Sequence, residues 1–159
     1  NMIAAGVAGI SAAALTKAGA ATPDASNTEL EGVRKLLQAH DKAMTDHDLK
    51  GVMASLSEDA AVMGTGPGEM WSGKKELKVA YEHFFMVFDK GAQEFKSNFM
   101  HGDLGADMGW AMTSGTVTGK KDGKEFSYPL NISLTVTKKG GDWKIAAMHF
   151  STLVGKENA

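Results

Sequence analysis

The stretch KEFSYPLNISLTVTKKGGDWKIAAMHFS, residues 124–151, decides the fold class, because it predicts two long strands joined by a hairpin. Apolar residues alternate with polar ones over Lys124–Lys138, a second strand is predicted over Asp142–Val154, and the glycines between them supply the turn. Two further strands are predicted upstream, at Gln93–His101 and Met108–Gly119. Together the four strands predict a curved antiparallel sheet.

The part of the chain before these strands predicts helices. Thr28-Glu-Leu-Glu31 has the spacing of a capping box, which starts a first helix that runs to about Thr45. Asp48 can cap a short second helix, and Ser72 can cap a third that runs to about Asp89. Short strands are predicted between these helices, at Ala60–Met63 and Met70–Trp71. Helices followed by a hairpin series predict an α+β domain over residues 28–159, with the helices on one face of the sheet.

The composition is that of one globular domain and excludes several function classes. The chain has 159 residues, of which 43% are apolar and 23% charged, and a formal charge of −2. Nucleic-acid binding is disfavoured because it depends on a basic surface. The lack of cysteine excludes disulfides, thiolate zinc sites and cysteine nucleophiles. His47 lies between two aspartates, but no third ligand has a suitable spacing, so we interpret it as part of a capping turn and expect no metal or cofactor.

Residues 1–27 differ from the rest of the chain. Met2–Leu15 is rich in alanine, and Lys17 is followed by Ala18-Gly-Ala20, a small-residue pattern like that of a signal-peptidase site. About 13 apolar residues are too few to cross a bilayer, which takes about 20. The segment is interpreted as an export signal followed by a polar linker over residues 21–27, and this interpretation predicts a periplasmic or secreted protein. The alternative is an alanine-rich helix that packs on a cytoplasmic domain.

Four segments carry a resemblance to a known family. They are Ala43-Met-Thr-Asp-His-Asp-Leu-Lys-Gly-Val52, Leu56-Ser-Glu-Asp-Ala-Ala-Val62, Trp71-Ser-Gly73 and Asp142-Trp-Lys-Ile-Ala-Ala-Met-His-Phe-Ser151. In this order they resemble the SnoaL-like branch of the nuclear transport factor 2-like superfamily. The resemblance implies a cone, in which the bent sheet wraps around the three helices and leaves a pocket. It also implies several activities, since the superfamily includes ketosteroid isomerases, polyketide cyclases, dehydratases and non-catalytic assembly domains.

The resemblance also implies where site residues would lie. His40 falls at the place of the tyrosine that donates to the enolate in ketosteroid isomerases, and Asn131 falls at the place of the second donor. The general-base position falls on Gly64, which has no proton acceptor. The steroid-isomerase mechanism is therefore not carried over. The SnoaL-like pattern is resembled instead by two polar pairs, Asn131 with Ser133 on one strand and His149 with Ser151 on the last strand.

Strand alternation predicts that three polar side chains share the cone. His149 is expected to face inward with Trp143, because Lys144 on the other face prefers water. If Asn131 also faces inward, His40 can reach the same cavity from the first helix. The hypothesis makes His149 the acid/base and has His40 and Asn131 orient a substrate oxygen. The alternative makes the histidines buried core groups with ordinary partners. Further predicted ligand-binding residues are Trp143, Ser133, Ser151, Tyr81 and Phe84.

The sequence is compatible with two different functions. One is a small-molecule-binding domain that acts as a cofactor-independent isomerase, cyclase or dehydratase on an apolar carbonyl compound. The other is a non-catalytic module that binds a ligand or holds an oligomer together. An inward Asn131 would leave the strand face around Ile132 exposed, which predicts a homodimer through the sheet. Neither a nucleic acid nor a membrane span is expected.

Overall fold

The computed structural model describes residues 27–152, and the predicted export segment lies outside them. Three helices and six strands follow one another in the described part of the chain. They are α1 (Asn27–Thr45), α2 (Leu49–Ser55), β1 (Leu56–Met63), β2 (Met70–Ser72), α3 (Gly73–Val87), β3 (Glu94–Leu104), β4 (Met108–Lys121), β5 (Lys124–Lys139) and β6 (Asp142–Ser151). The predicted elements are confirmed, with bounds that differ by a few residues. None of the described helices is both long and apolar enough to cross a membrane.

The six strands form one sheet in the order β2-β1-β6-β5-β4-β3. The hairpin series from β3 to β6 is antiparallel, as predicted, and β1 pairs with β6 in parallel. The β4–β5 turn contains Asp122 and Gly123 at φ angles of 52° and 73°, the positive values that a type I′ turn requires. The α+β prediction is confirmed, but it did not include the parallel pair of β1 and β6. β1 covers the edge that β6 would otherwise leave free.

A side-chain cap starts α2, and several polar contacts connect the helices to the sheet. The Asp48 side chain accepts a hydrogen bond from the Gly51 amide at 3.0 Å and starts α2, as predicted. The carboxylate of Glu29 on α1 accepts hydrogen bonds from Lys138 Nζ at 2.7 Å and from the Trp143 indole at 2.8 Å. These two donors lower the pKa of Glu29, the lysine having the larger effect. The start of α1 is thereby fixed over β5 and β6.

β6 contains a bulge that changes which side chains face inward. Val136 of β5 pairs with Ile145, but the preceding residue Thr135 pairs with Ala147, so Ala146 is an extra residue on β6. Trp143 and Ile145 are buried before the bulge, and Met148 and Phe150 are buried after it. An extra residue shifts the two-residue alternation by one. His149 and Ser151 therefore lie on the outer face of the sheet.

The core lies between the inner face of the sheet and the helices. On β5 the inward residues are apolar and almost fully buried, while the residues between them are exposed or partly exposed. The apolar stripe of α1 packs on this face, and α3 adds Leu77, Tyr81 and Phe84. Full burial of each large aliphatic side chain contributes about 1.5–3 kcal/mol. The inward residues of β5 are Leu130, Ile132, Leu134 and Val136.

Candidate functional site

The structure separates the three residues predicted to share one cavity. His40 lies on α1 and is 5% exposed, inside the cone. Asn131 and His149 are exposed on the outer face, Asn131 paired with Ser151 and His149 with Ser133. The predicted inward orientation of Asn131 and His149 is wrong because the bulge turns His149 outward and the apolar side of β5 faces the helices. The catalytic roles given to these three residues assumed a common site, and they stay predictions that this geometry does not support.

The predicted ligand-binding residues fall into two groups. Tyr81, Phe84 and Trp143 are buried in the core, while Ser133 is exposed and Ser151 is half-buried on the outer face. The Trp143 indole is already bonded to Glu29, which gives it a structural role. Burial raises the pKa of Tyr81 far above its usual range. Its hydroxyl is therefore a proton donor, and not an anion, at neutral pH.

His40 is the polar group of the helix stripe that faces the sheet. It follows Val33 and Leu37 along the buried side of α1 and precedes Met44. Within the described part of the chain, His40 Nε2 has no hydrogen-bond partner. Its Nδ1 lies 3.8 Å from a carboxylate oxygen of Asp41, beyond hydrogen-bond length. A buried polar atom without a partner costs about 1–3 kcal/mol, so this nitrogen is destabilising unless a further group reaches it.

A narrow apolar cleft lies beside this stripe. Val33 and Leu37 form its helix side, and β3, β4 and β5 form its other side. Its free volume is about 20 Å³, which is room for about one water molecule. This cleft by itself is therefore too small for an organic ligand. The residues on the sheet side are Asp103, Leu104, Gly109, Trp110, Ala111, Leu134 and Val136.

Gly64 occupies the position that the resemblance assigns to a general base. It is buried after the end of β1, and its amide donates to the carbonyl of Glu69 at 2.7 Å. The loop that follows Gly64 is closed by further hydrogen bonds between Gly66 and Glu69. Glu69 already accepts from the Gly66 amide at 2.9 Å. The position thus supplies a backbone turn and no proton acceptor.

Gln93 is a further buried polar side chain without a hydrogen-bond partner among the described residues, and it was not among the residues predicted from the sequence. It is 8% exposed, and neither atom of its side-chain amide has a hydrogen-bond partner among the described residues. A Cβ at Gly119 would lie 3.1 Å from Gln93 Cγ and 2.5 Å from Phe126 Cζ, so the glycine makes room for both. An isolated glycine inside a strand indicates such a close approach, which is the pattern that could have pointed to Gln93.

The outer face of β3 and β4 carries an apolar surface, here called the outer patch and made of Phe99, Met108, Trp110 and Met112. These side chains are 42–58% exposed, and the His101 ring lies edge-on to Trp110 with centroids 5.6 Å apart. The prediction that the exposed apolar face surrounds Ile132 is wrong, because Ile132 is 1% exposed and faces the helices. The apolar surface is instead provided by the opposite side of the sheet.

Comparisons with known proteins agree with this architecture. A family profile described as SnoaL-like domain matches residues 33–155. No curated protein matches the sequence.

Among the described residues, no group of three or more His, Cys, Asp or Glu side chains could hold a metal ion.

Three solved structures have the same fold at low identity. An NTF2-like protein of unknown function from Pseudomonas putida is 17% identical, with a TM-score of 0.69 over 83% of this chain and 92% of that one. A candidate dehydratase of the NTF2-like family from Streptomyces avermitilis is 14% identical, with a TM-score of 0.69 over 82% of this chain and 100% of that one. A ketosteroid isomerase-like protein from Erwinia carotovora is 24% identical, with a TM-score of 0.63 over 82% and 100%.

The solved structures show that the chain has the fold of NTF2-like proteins. The family match spans residues 33–155, most of the chain, and the chain therefore belongs to the SnoaL-like domain family.

Proposed function

We propose that the domain binds a small, largely apolar molecule inside its cone and that His40 makes the polar contact. The observation that carries this proposal is the buried Nε2 of His40, which has no partner among the described residues. A ligand oxygen at this nitrogen would remove the cost of an unpaired polar atom. The surrounding side chains are apolar, so the rest of the ligand is apolar as well.

The two ring nitrogens of the His40 imidazole and the size of the neighbouring cleft indicate the class of ligand. In the neutral ring one nitrogen donates and the other accepts, so Nε2 can bind a carbonyl or a hydroxyl oxygen. The cleft beside Val33 and Leu37 holds only about one water molecule, so a ligand has to move side chains when it enters. Met44 and Met148 lie in the same core, and their unbranched thioethers adapt readily to a new shape. These features fit a small aromatic or aliphatic ketone.

If the domain is catalytic, we propose isomerase, cyclase or dehydratase activity on such a ketone. This chemistry needs one group that takes a proton and one that stabilises the developing oxyanion. His40 is an imidazole in the interior, and the protonated hydroxyl of Tyr81 is a potential donor from α3. Gly64 offers no second base. The proposal therefore commits to binding, and turnover would depend on His40 both removing and returning the proton.

Nuclear magnetic resonance of ¹⁵N-labelled histidine tests the proposal directly. The chain has five histidines, and their ring nitrogens report hydrogen bonding individually once assigned by substitution. We expect aromatic and steroid ketones to shift the Nε2 resonance of His40 and leave His149 unchanged. The His40→Leu variant should lose binding, while His149→Gln should retain it. Ketone binding that leaves His40 Nε2 unshifted, or that survives in His40→Leu, would contradict the proposal.

A second candidate function is self-association through the outer patch. Four large apolar side chains exposed together on a sheet face are typical of a protein–protein interface. The two faces of a symmetric homodimer bury the same patch, which this surface on two neighbouring strands allows. Sedimentation velocity tests it: the wild type should be a dimer and Trp110→Lys a monomer. Val79→Lys, on the exposed side of α3, is the control and should remain dimeric. A monomeric wild type would exclude this function.

A further inference from the structure

We propose that Met63, Met70 and His149 form a copper(I) site on the outer face of the sheet. Met70 of β2 lies directly opposite Met63 of β1, and Met63 lies opposite His149 of β6. The three strands are neighbours in the order β2-β1-β6. One row across the sheet therefore holds a thioether, a second thioether and an imidazole.

The register places these side chains within reach of one ion. Residues directly opposite each other on neighbouring strands project from the same face, and neighbouring strands lie about 4.7–4.9 Å apart. Met63 is in the middle of the row. The side chains of Met70 and His149 therefore each have to extend across one strand spacing to reach an ion bound to Met63. Methionine has three rotatable side-chain bonds, which makes this movement easy.

All three side chains are open to solvent, so an ion can reach them. Met63 is 44% exposed, Met70 is 64% exposed and His149 is also exposed. An exposed thioether gains little from the hydrophobic effect, so its packing does not explain its position. Metal binding by the two thioethers and the neighbouring imidazole would explain why these methionines are exposed.

The donor types select the metal. Thioether sulfur is a soft ligand that favours copper(I), and imidazole also binds copper well. Calcium and magnesium require oxygen ligands, and zinc sites use thiolate, imidazole and carboxylate groups. Two of the three donors here are methionines, and no group of three or more His, Cys, Asp or Glu side chains among residues 27–152 could hold a metal ion.

The row is distinct from both proposed functions above. β5 separates β6 from the outer patch on β3 and β4, and the cone interior lies on the opposite face of the sheet. Loss of ketone binding or of dimerisation therefore leaves this proposal standing. The Trp110→Lys variant should bind copper as the wild type does.

Competition for copper(I) under anaerobic conditions tests the proposal. The full chain is titrated with copper(I) in the presence of the coloured chelator bathocuproine disulfonate. We expect the wild type to withhold one equivalent from the chelator. Loss of groups that only support metal ligands costs about 10–100-fold in affinity. Met63→Leu/Met70→Leu, which removes two ligands, should therefore weaken binding by more than about 100-fold, and His149→Gln should weaken it by more than about tenfold.

Two matched variants complete the test. Met86→Leu removes the exposed methionine of α3, and Met112→Leu removes a methionine on the same sheet face, opposite His101. Both should retain copper, and all the variants should keep the wild-type circular dichroism spectrum because these side chains are exposed. X-ray absorption should show two sulfur neighbours and one nitrogen neighbour. A wild type that withholds no copper, or a Met63→Leu/Met70→Leu variant that binds as tightly as the wild type, would overturn the proposal.

Discussion

The two faces of the sheet give the same side chain opposite surroundings, as His40 and His149 show. His40 points from α1 into the apolar core, where its Nε2 has no partner among the described residues. His149 lies on the outer face, open to solvent and between Ser133 and Met63 on the neighbouring strands. The comparison teaches that the chemistry of a histidine in this fold depends on which face it occupies, and that a single bulge decides this for β6.

Deletion of Ala146 is the strongest test of that comparison. Without the extra residue, the end of β6 would turn Met148 and Phe150 toward solvent and His149 toward the core. Exposing these two apolar side chains costs about 1.5–3 kcal/mol each. We therefore expect the free energy of unfolding to fall by about 3–6 kcal/mol in urea titrations. Ala146→Ser keeps the bulge and is the control; a deletion variant as stable as this control would show that the bulge does not set the faces.

A matched pair on β5 measures the difference between the faces at adjacent positions. Ile132 is 1% exposed and its neighbour Ser133 is exposed. Ile132→Ala should lower the free energy of unfolding by about 2–5 kcal/mol, because it leaves a cavity in the core. Ser133→Ala should change it by less than about 0.5 kcal/mol. Equal effects in chemical denaturation would contradict the assignment of inner and outer faces.

His40→Leu should raise stability, in contrast to most core substitutions. Leucine continues the apolar stripe of α1 and removes the unpaired Nε2. We expect a gain of about 1 kcal/mol in the free energy of unfolding without ligand. His149→Leu on the outer face should leave stability nearly unchanged. Thermal and urea unfolding of both variants provide the measurement, and a large loss of stability in His40→Leu would show that the imidazole has a structural partner.

His47 lies between these two extremes and gives the smallest expected effect. It is partly buried and stacks on Phe85 with centroids 4.5 Å apart. Burial lowers the pKa of His47 below that of the unfolded chain, with a smaller contribution from Lys90. The unfolded state then binds more protons near pH 6, so this contribution to stability is present above about pH 6.5 and is lost as pH falls.

The His47→Asn variant removes the pH-dependent contribution of His47 to the free energy of unfolding. Asparagine tolerates the positive φ of 52° at this position and does not titrate. Between pH 7.5 and pH 5.5 the wild type should lose more stability than the variant in urea unfolding. Carboxylates with lowered pKa values, such as Glu29, lose their contribution only at lower pH, so they do not obscure the comparison. Parallel pH profiles would contradict the assignment.

The sequence predicted the elements well because their determinants are local. The helix period placed His40 on the buried stripe, and the turn glycines placed the hairpins. The faces of β5 could not be predicted, since one face is apolar, the other is polar and a sheet can cover either. The bulge at Ala146 depends on how β6 pairs with both β1 and β5, which are distant in the chain. Strict alternation therefore placed His149 on the wrong side and created a site that the fold does not assemble.

The position of β6 also constrains how the protein is made. β6 is synthesised after the other five described strands, yet it lies inside the sheet, between β1 and β5, and supplies the partner for both. Until Ser151 has been synthesised, β1 and β5 each have an open edge that can pair with another chain. The domain is therefore expected to need β6 before it can complete its sheet, and chains that stop before residue 142 should aggregate.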